Sequence, residues 1–255
     1  MSHPQWTSSF LTGTVTATPA VNASYPAQRI ITLDQHPIIR AARSTSTAQQ
    51  DYEIDFGAVK SVVAVAVLGT NFRLVNLAHA ASVGGSYTDL GTFSVPQNRW
   101  TKRYNLFLLK EFNNRVLRVR IPSQTMTDGA AYSSLGFVWA TDALQTLARS
   151  PRENREITVN RAYLESGDEV TPAGPLHLLE EWQLRILDTG VADMQTIAAL
   201  GRDTPVLFFD NNDDPAAVRI WRFQDSLSFR EQARAGVPVG RTRFYDVNPR
   251  WKEQV

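Results

Sequence analysis

The residues of this 255-residue sequence that could do chemistry are few and scattered. Its four histidines do not cluster. His3 stands in the N-terminal tail, His36 precedes Pro37 in the turn-like Asp34-Gln35-His36-Pro37, and His79 sits between Ala78 and Ala80 at a strand end. His177 precedes Leu178-Leu179-Glu180-Glu181, so on a helix His177 and Glu181 would share one face as a metal pair. No third ligand is in view, and a helix edge or interface is the plainer reading. Asp210-Asn211-Asn212-Asp213-Asp214 is the one dense run of oxygen ligands. Calcium takes roughly six to eight oxygens, yet Pro215 stands where an EF-hand loop needs glycine and Trp221 where it needs the closing glutamate. An Asx-rich turn explains the same residues.

Asp55, Asp89 and Asp128 could supply paired carboxylates for glycoside hydrolysis, which works at separations of roughly 5–9 Å. Nothing in the sequence selects a pair. No Gly-x-x-x-x-Gly-Lys-[Ser/Thr], Gly-x-Gly-x-x-Gly, His-Glu-x-x-His or Gly-x-Ser-x-Gly occurs. There is no cysteine, hence no disulfide, thiolate nucleophile or Cys-type zinc site. The expectation is a non-enzymatic chain without metal or cofactor.

Aromatics offer a different chemistry. Trp100, Trp139, Trp182, Trp221 and Trp251 could stack on sugars. Arg99-Trp100-Thr101-Lys102-Arg103 is the best placed, because Arg99, Lys102 and Arg103 set cationic donors around the Trp100 ring. These four residues, Arg99, Trp100, Lys102 and Arg103, are the candidate ligand or interface contacts. Core and subunit packing is the plainer use of the tryptophans as a set. With 26 basic and 25 acidic side chains the net charge is +1. That balance gives no drive toward nucleic acid or anionic membrane, so neither is expected as a partner. Residues 1–148 hold 12 basic and 8 acidic side chains and residues 149–255 hold 14 and 17, a complementarity that would favour head-to-tail contacts between copies of the chain, though chance on a difference of a few charges is the plainer reading.

The elements that must position these residues read as strands first. Thr14, Thr16 and Thr18 alternate with smaller residues over Thr12 to Thr18, which suits a half-exposed edge strand. Arg29 to Leu33 is short and β-branched and reads as a strand; Ser44 to Gln50 reads as loop. Tyr52, Ile54 and Phe56 alternate with Glu53 and Asp55 until Gly57 ends the pattern. Ser61 to Leu68 is apolar on both faces, so it predicts a strand covered on both sides. Further strands are expected at Phe72 to Ala78, Leu90 to Val95, Tyr104 to Leu109, Arg115 to Ile121 and Leu135 to Trp139. Leu117, Val119 and Ile121 would point inward. Short strands with scarcely any helical period indicate an antiparallel sandwich or barrel.

Ala143 to Arg155, broken at Ser150-Pro151 and rich in Arg149, Arg152, Glu153 and Arg155, reads as an exposed linker. Beyond it, Gly167 to Pro175 reads as loop and Trp182 to Leu187 as a strand. A helix is predicted from about Val191 to Leu200, with Val191, Met194, Ile197 and Ala198 on one face and Gly201 at its C-terminal turn. Pro205 to Phe209 is a buried strand and Val218 to Phe223 another. The reading is mainly β: an N-terminal antiparallel sandwich or barrel over 1–148, then a smaller β-rich α+β domain with one short helix over 149–255. The longest apolar run, Val62 to Leu68, is far below the ~18–20 residues that span a bilayer. The N-terminus has no basic region before an apolar block. The chain is therefore expected to be soluble where it is made.

Tyr52-Glu53-Ile54-Asp55-Phe56-Gly57, then Val62 to Leu68 with Gly69-Thr70-Asn71-Phe72, is similar to the early strands of discoidin-like, galactose-binding-type jelly rolls. Asn114 to Ile121 resembles their late strand, and Leu135-Gly136-Phe137-Val138-Trp139 the closing one. The Asn after the second strand, together with the strand, helix and Pro-Val-Leu-Phe order from Trp182 to Phe209, resembles tailed-bacteriophage tail-tip and baseplate proteins. That resemblance implies a non-enzymatic virion structural protein, assembled in the host cytoplasm as a homo-oligomeric ring of three or six that joins other tail proteins. A carbohydrate- or receptor-binding module is the alternative it implies. No sugar or metal site of the family maps onto residues here. The Thr-rich arm Thr7 to Tyr25 is expected to be ordered by a neighbouring subunit.

Overall fold

The computed structural model describes residues 5–32, 41–98, 104–146, 149–159, 162–163, 169–170, 178–200, 204–209, 215–223, 229–232, 244–247 and 250–253. The chain divides into two compact units. One is Ser9–Leu144 with Asn211–Val218 and Val255; the other is Met1–Ser8, Gln145–Asp210 and Arg219–Gln254. In chain order the first strands are β1 (Gln5–Thr7), β2 (Thr14–Thr18), β3 (Ala42–Arg43), β4 (Gln50–Thr70), β5 (Leu74–Ala80), β6 (Thr88–Ser94), β7 (Tyr104–Ile121), β8 (Ser134–Leu135) and β9 (Phe137–Thr141). All except β1 lie in the first unit.

Two long strands build that unit. β4 and β7 pair antiparallel from Gln50↔Ile121 to Thr70↔Tyr104, with register breaks between Asp55 and Lys60, Val62 and Ala64, and Val67 and Thr70. The first half of β4 lies between β2 and the second half of β7, in a sheet ordered β2-β4-β7-β5-β6. The second half of β4 pairs instead with β9, from Ala64↔Thr141 to Leu68↔Phe137. Each long strand therefore serves two layers, five strands and three, and the bend between them is the corner of the sandwich. Gly57 marks that corner with φ 77, and the Asp55 carboxylate accepts its N–H at 2.8 Å. Gly57 was expected to end a strand; it kinks one instead, because a positive φ redirects the chain while cross-strand pairing resumes at Lys60↔Asn114.

Alternation accounts for the core. Tyr52, Ile54 and Phe56 face Leu117, Val119 and Ile121 from one layer, and Val65, Val67, Leu106 and Val138 meet them from the other, all buried. On the outward face of the five-stranded sheet, Arg115 grips Asp55 through Nε and Nη2 at 2.7 Å each, and Arg120 grips Asp51 at 2.7 and 2.6 Å. The second face of the three-stranded layer is buried too, as Ser61 to Leu68 predicts: Ala64, Ala66 and Leu68 are fully enclosed. Its cover comes from two segments of the same unit. Phe10 packs on Phe137 and Trp139 with ring centroids 5.3 and 5.2 Å away, and Trp139 Nε1 donates to the Ser9 carbonyl at 2.7 Å. Pro215–Val218 arrives from the other direction, with Phe107 N donating to Pro215 O and Asn98 and Asn105 side chains donating to Ala216 O and Val218 O.

The N-terminal arm is tied to its own chain: β2 pairs with Asp51 to Asp55 and Leu11 N donates to Ala140 O. Gly13 lets it close, since a Cβ there would stand 2.3 Å from Asp55 O. The strand expected over Arg29 to Leu33 is a 3₁₀ turn, Ala27–Ile31. Pro26 precedes it at φ −63, and Ile30 and Ile31 bury against the core, so tertiary burial overrides their β preference. Gln28 in this turn accepts from Val15 N and donates to Gly13 O, fixing the edge of β2.

The second unit continues with β10 (Gln145–Thr146), β11 (Arg149–Val159), β12 (Ala162–Tyr163), β13 (Glu169–Val170), β14 (Leu178–Leu187), α1 (Asp188–Ala199), β15 (Val206–Phe209), β16 (Val218–Phe223), β17 (Phe229–Gln232), β18 (Phe244–Val247) and β19 (Arg250–Glu253). β1 joins it between β10 and β15, in a sheet ordered β10-β1-β15-β16-β19-β14-β18-β17, and β11 pairs with β14. Trp6 and all of β15 are buried. α1 begins three residues before the expected start and turns Met194 and Ile197 inward, both fully enclosed. The span expected as a linker holds β10 and the start of β11; the two units divide inside it, between Leu144 and Gln145. Its charged residues occupy a strand that pairs only with β14 among the described residues. β14 also removes the helical face proposed for His177 and Glu181, because Leu178–Leu187 is extended. The fold is mainly β, a jelly-roll sandwich and a β-rich α+β unit with one helix.

Candidate functional site

One loop, residues 122–134, ties one end of the sandwich together, and Asn71 is its knot. Asn71 is buried. Its Nδ2 donates to both Asp128 carboxylate oxygens at 3.2 Å and to Tyr132 O at 3.0 Å, while its Oδ1 accepts from Ser134 N at 2.7 Å. Its backbone carbonyl accepts from Thr127 N and Oγ1. At the start of the same loop, Gln124 Oε1 accepts from Arg73 N and Leu74 N at 2.9 and 3.0 Å, and its Nε2 donates to Leu74 O at 2.8 Å. A side-chain amide thus does for the first residues of β5 what a neighbouring strand would do.

Beside this junction lies an open cleft of about 560 Å³, lined by Arg73, Leu74, Ser94, Val95, Pro96, Gln97, Tyr104, Gln124 and Thr125. Leu74 is 40% exposed, and with Pro96 and Tyr104 it lines the cleft. Arg73, Ser94, Gln97 and Thr125 supply polar groups around it. Gln97 and Tyr104 bridge antiparallel, and Val95 N donates to Arg73 O at 2.7 Å, so the walls are anchored to strands. Among the described residues no Asp, Glu or His lines the cleft. The arrangement suits a ligand with one apolar face and several hydroxyls, and offers no proton-transfer pair.

Most residues singled out by sequence serve other ends. Asp55 is committed to Arg115, whose hydrogen bond holds its carboxyl below the usual range. Asp89 accepts from Asn76 Nδ2 at 2.7 Å, and Asp128 from Asn71. These three carboxylates are structural ties, not a convergent pair. His79 stacks on Phe112, centroids 5.0 Å apart and planes 3° from parallel, with Asn114 Nδ2 against its Nδ1. Burial lowers its pKa. Trp139 and Trp221 are core residues. Arg99, Trp100, Lys102 and Arg103 lie outside the described residues, as do His3, His36, His177 and the run Asp210 to Asp214; the described chain resumes on either side of the Arg99 segment at Asn98 and Tyr104. Among the described residues no group of three or more His, Asp or Glu could hold a metal ion. Sequence reasoning missed the cleft itself, because its walls come from four separate segments; the one available signal was the flanking Gln97 and Tyr104.

No family model and no curated protein matches this sequence. Solved structures do show likenesses. The chitosan-binding module 1 of a chitosanase/glucanase from Paenibacillus sp. IK-5 is 14% identical with a TM-score of 0.41, over 51% of this chain and 95% of that one. The family 32 CBM of C. perfringens NanJ, solved with galactose, is 12% identical with a TM-score of 0.41, over 52% of this chain and 93% of that one. Reduced XRCC1 bound to the DNA pol beta catalytic domain is 12% identical with a TM-score of 0.43, over 53% of this chain and 98% of that one.

Proposed function

We propose that the sandwich unit is a binding module that takes a saccharide in the cleft at Leu74 and Tyr104. The observation that carries this reading is the cleft's make-up. Leu74, Pro96 and Tyr104 bring apolar surface to its lining, and Arg73, Gln97, Ser94 and Thr125 bring polar groups. A sugar presents the complementary surface, C–H groups on one face of the ring and hydroxyls at its edge. The C–H face lies on Tyr104 and Leu74, and Arg73, Gln97, Ser94 and Thr125 meet the hydroxyls. Arg99, Trp100, Lys102 and Arg103, joined through the chain to Gln97 and Tyr104, contribute further contacts, with Trp100 as the stacking ring. The residues beneath are tied by Gln124 and Asn71, so little ordering is needed on binding. A glycan array followed by calorimetry tests the proposal. Saturable binding that falls about tenfold or more in Leu74→Ser, Tyr104→Ala and Trp100→Ala is expected. No saturable glycan, or affinity untouched in all three variants, rejects it.

A second reading, a non-enzymatic tail-tip structural protein that forms a ring of three or six with other tail proteins, rests on the sequence resemblance of Trp182 to Phe209 alone. Negative-stain microscopy and sedimentation of the purified chain test it. Closed rings support it, and a monomer across the concentration range opposes it.

A further inference from the structure

We infer that Arg29 and Arg43, with Tyr25 and Tyr132, form an oxyanion site separate from the cleft. The Arg43 guanidinium carbon lies 4.0 Å from the centroid of the Tyr25 ring and 5.1 Å from that of Tyr132. Arg29 lies 5.5 Å from the same Tyr25 centroid. Two cations are thus held around one ring, closer than the screening length of about 10 Å in 0.1 M salt. Neither has a carboxylate partner among the described residues. Like charges so placed repel, and an anion between them would turn the repulsion into attraction. Arg43 also keeps one donor in hand: its Nε is buried with no hydrogen-bond acceptor. A buried, unmatched donor on a cation is a costly feature that an incoming oxygen satisfies.

The backbone around these residues is fixed independently of any ligand. Asn22 N donates to Arg43 O and Arg43 N donates to Tyr25 O. β3 pairs with β8 at Arg43↔Ser134. One residue along, Ser44 and Ser133 are both buried. Ser133 N and Oγ donate to Ser44 Oγ at 2.8 and 2.9 Å, and Ser44 N donates to Ser133 O at 3.0 Å. Asn71 Nδ2 holds Tyr132 O. The serine pair and Asn71 spend their polar groups on holding Arg43 and Tyr132 in place, while the guanidinium they position stays unpaired. That is the economy of a preorganised site, in which ordering cost is met before the ligand arrives. The Tyr25 and Tyr132 rings lie beside the Arg43 guanidinium, whose donors lie in its own plane, the geometry that suits a planar carboxylate or a sulfate.

The site takes an oxyanion, either the carboxylate of an acidic saccharide or a free inorganic anion. NMR titration of the full chain with sodium sulfate and with sodium glucuronate, at ionic strength held constant with chloride and with glucose as the neutral control, tests it. Saturable shifts at the Arg43 and Tyr132 amides are expected with one or both anions, weakened about tenfold in Arg29→Gln and in Arg43→Lys. Lys keeps the charge of Arg43 but loses its fork, and Arg29→Gln leaves Arg43 and the serine pair in place, so the two variants guard against a folding artefact. Tighter binding of glucuronate identifies a saccharide source, and tighter binding of sulfate a free anion. Equal shifts with glucose or chloride, no saturation, or saturation unchanged in both variants overturns the site. Leu74→Ser leaves the anion titration intact, which separates this result from the fate of the cleft.

Discussion

Removing the Asn71 side chain tests the wiring on which both sites rest. In Asn71→Ala the Ser134 N–H loses its acceptor and the Tyr132 carbonyl one donor, in a place from which water is excluded. Each buried polar group left unpaired costs about 1–3 kcal/mol, so the variant is destabilised by about 2–4 kcal/mol. That is a large share of the 5–15 kcal/mol or so that holds a typical domain folded. Asn71→Asp sharpens the argument. Its oxygen still accepts from Ser134 N, but the other oxygen now faces the Asp128 carboxylate where Nδ2 stood 3.2 Å away. Two carboxylates so close cannot both ionise freely, and one takes a raised pKa in the folded state. The folded chain then binds the proton more tightly than the unfolded one, so stability falls as pH rises above the ordinary carboxylate range. Urea unfolding monitored by tryptophan fluorescence at pH 4.5 and pH 7.5 measures both variants. The deficit of Asn71→Asp against wild type grows with pH, while that of Asn71→Ala does not. An Asn71→Ala loss under about 0.5 kcal/mol, within the scatter of surface substitutions, or a pH-independent Asn71→Asp, refutes the reasoning.

Three further outcomes follow from the packing and the titratable groups. Phe10→Ala strips the aromatic cover from Phe137 and Trp139 and costs about 2–3 kcal/mol, less than a fully enclosed Phe because Phe10 is half-buried; chemical denaturation measures it. His79 has a pKa lowered from 6.5 by burial, so the unfolded chain takes the proton first and wild-type stability declines as pH drops through that value. In His79→Gln this slope between pH 7 and pH 5 disappears from the melting profile. Asp55 has a pKa lowered from 3.8, chiefly by the Arg115 hydrogen bond, so its contribution is present above that pH and lost as pH falls through the depressed value. Asp55→Asn therefore flattens the acid limb of the unfolding curve below pH 4, and an unchanged limb counts against the pairing.

What the sequence disclosed and what it hid divides along a physical line. Period-two alternation exposed Tyr52, Ile54, Phe56, Leu117, Val119 and Ile121 as inward residues, and the unbroken apolar run to Leu68 gave away a strand covered twice. Those signals are local. Ala27–Ile31 misled because its isoleucines look β-forming and bury equally well from one 3₁₀ turn. β11 misled because Arg149 to Glu156 holds only charged and polar residues and one proline, which read as linker until the pairing with β14 is known. Gly57 signalled a change of direction but not that the same strand continues past it into the other layer. The sites were hidden for a different reason. Gln124 reaches back to Arg73 and Leu74, Asn71 forward to Asp128 and Ser134, and Ser44 across to Ser133. These bonds leave no trace in composition or period, because amides and hydroxyls in loops look alike whether they tie the chain or await a ligand.

That distinction organises the end of the sandwich. Gln124, Asn71, Ser44 and Ser133 hold their polar groups in bonds to backbone, to the Asp128 carboxylate or to one another, and most of those bonds join segments far apart in the chain. The cations beside them, Arg73 in the cleft and Arg29 and Arg43 among the tyrosines, have no acidic partner among the described residues, whereas on the outward sheet face Arg115 and Arg120 are gripped bidentately. Arg118 on that face is the exception, with its Nε buried without an acceptor and its guanidinium 3.9 Å from the Tyr87 centroid. An end that leaves cations unpaired, yet spends buried hydroxyls and amides to hold them still, forgoes stability that carboxylates in those loops would have supplied. The binding proposed here would recover it, which places the proposed ligands at the loop end rather than on the charged face and requires that they carry oxygen acceptors for these cations.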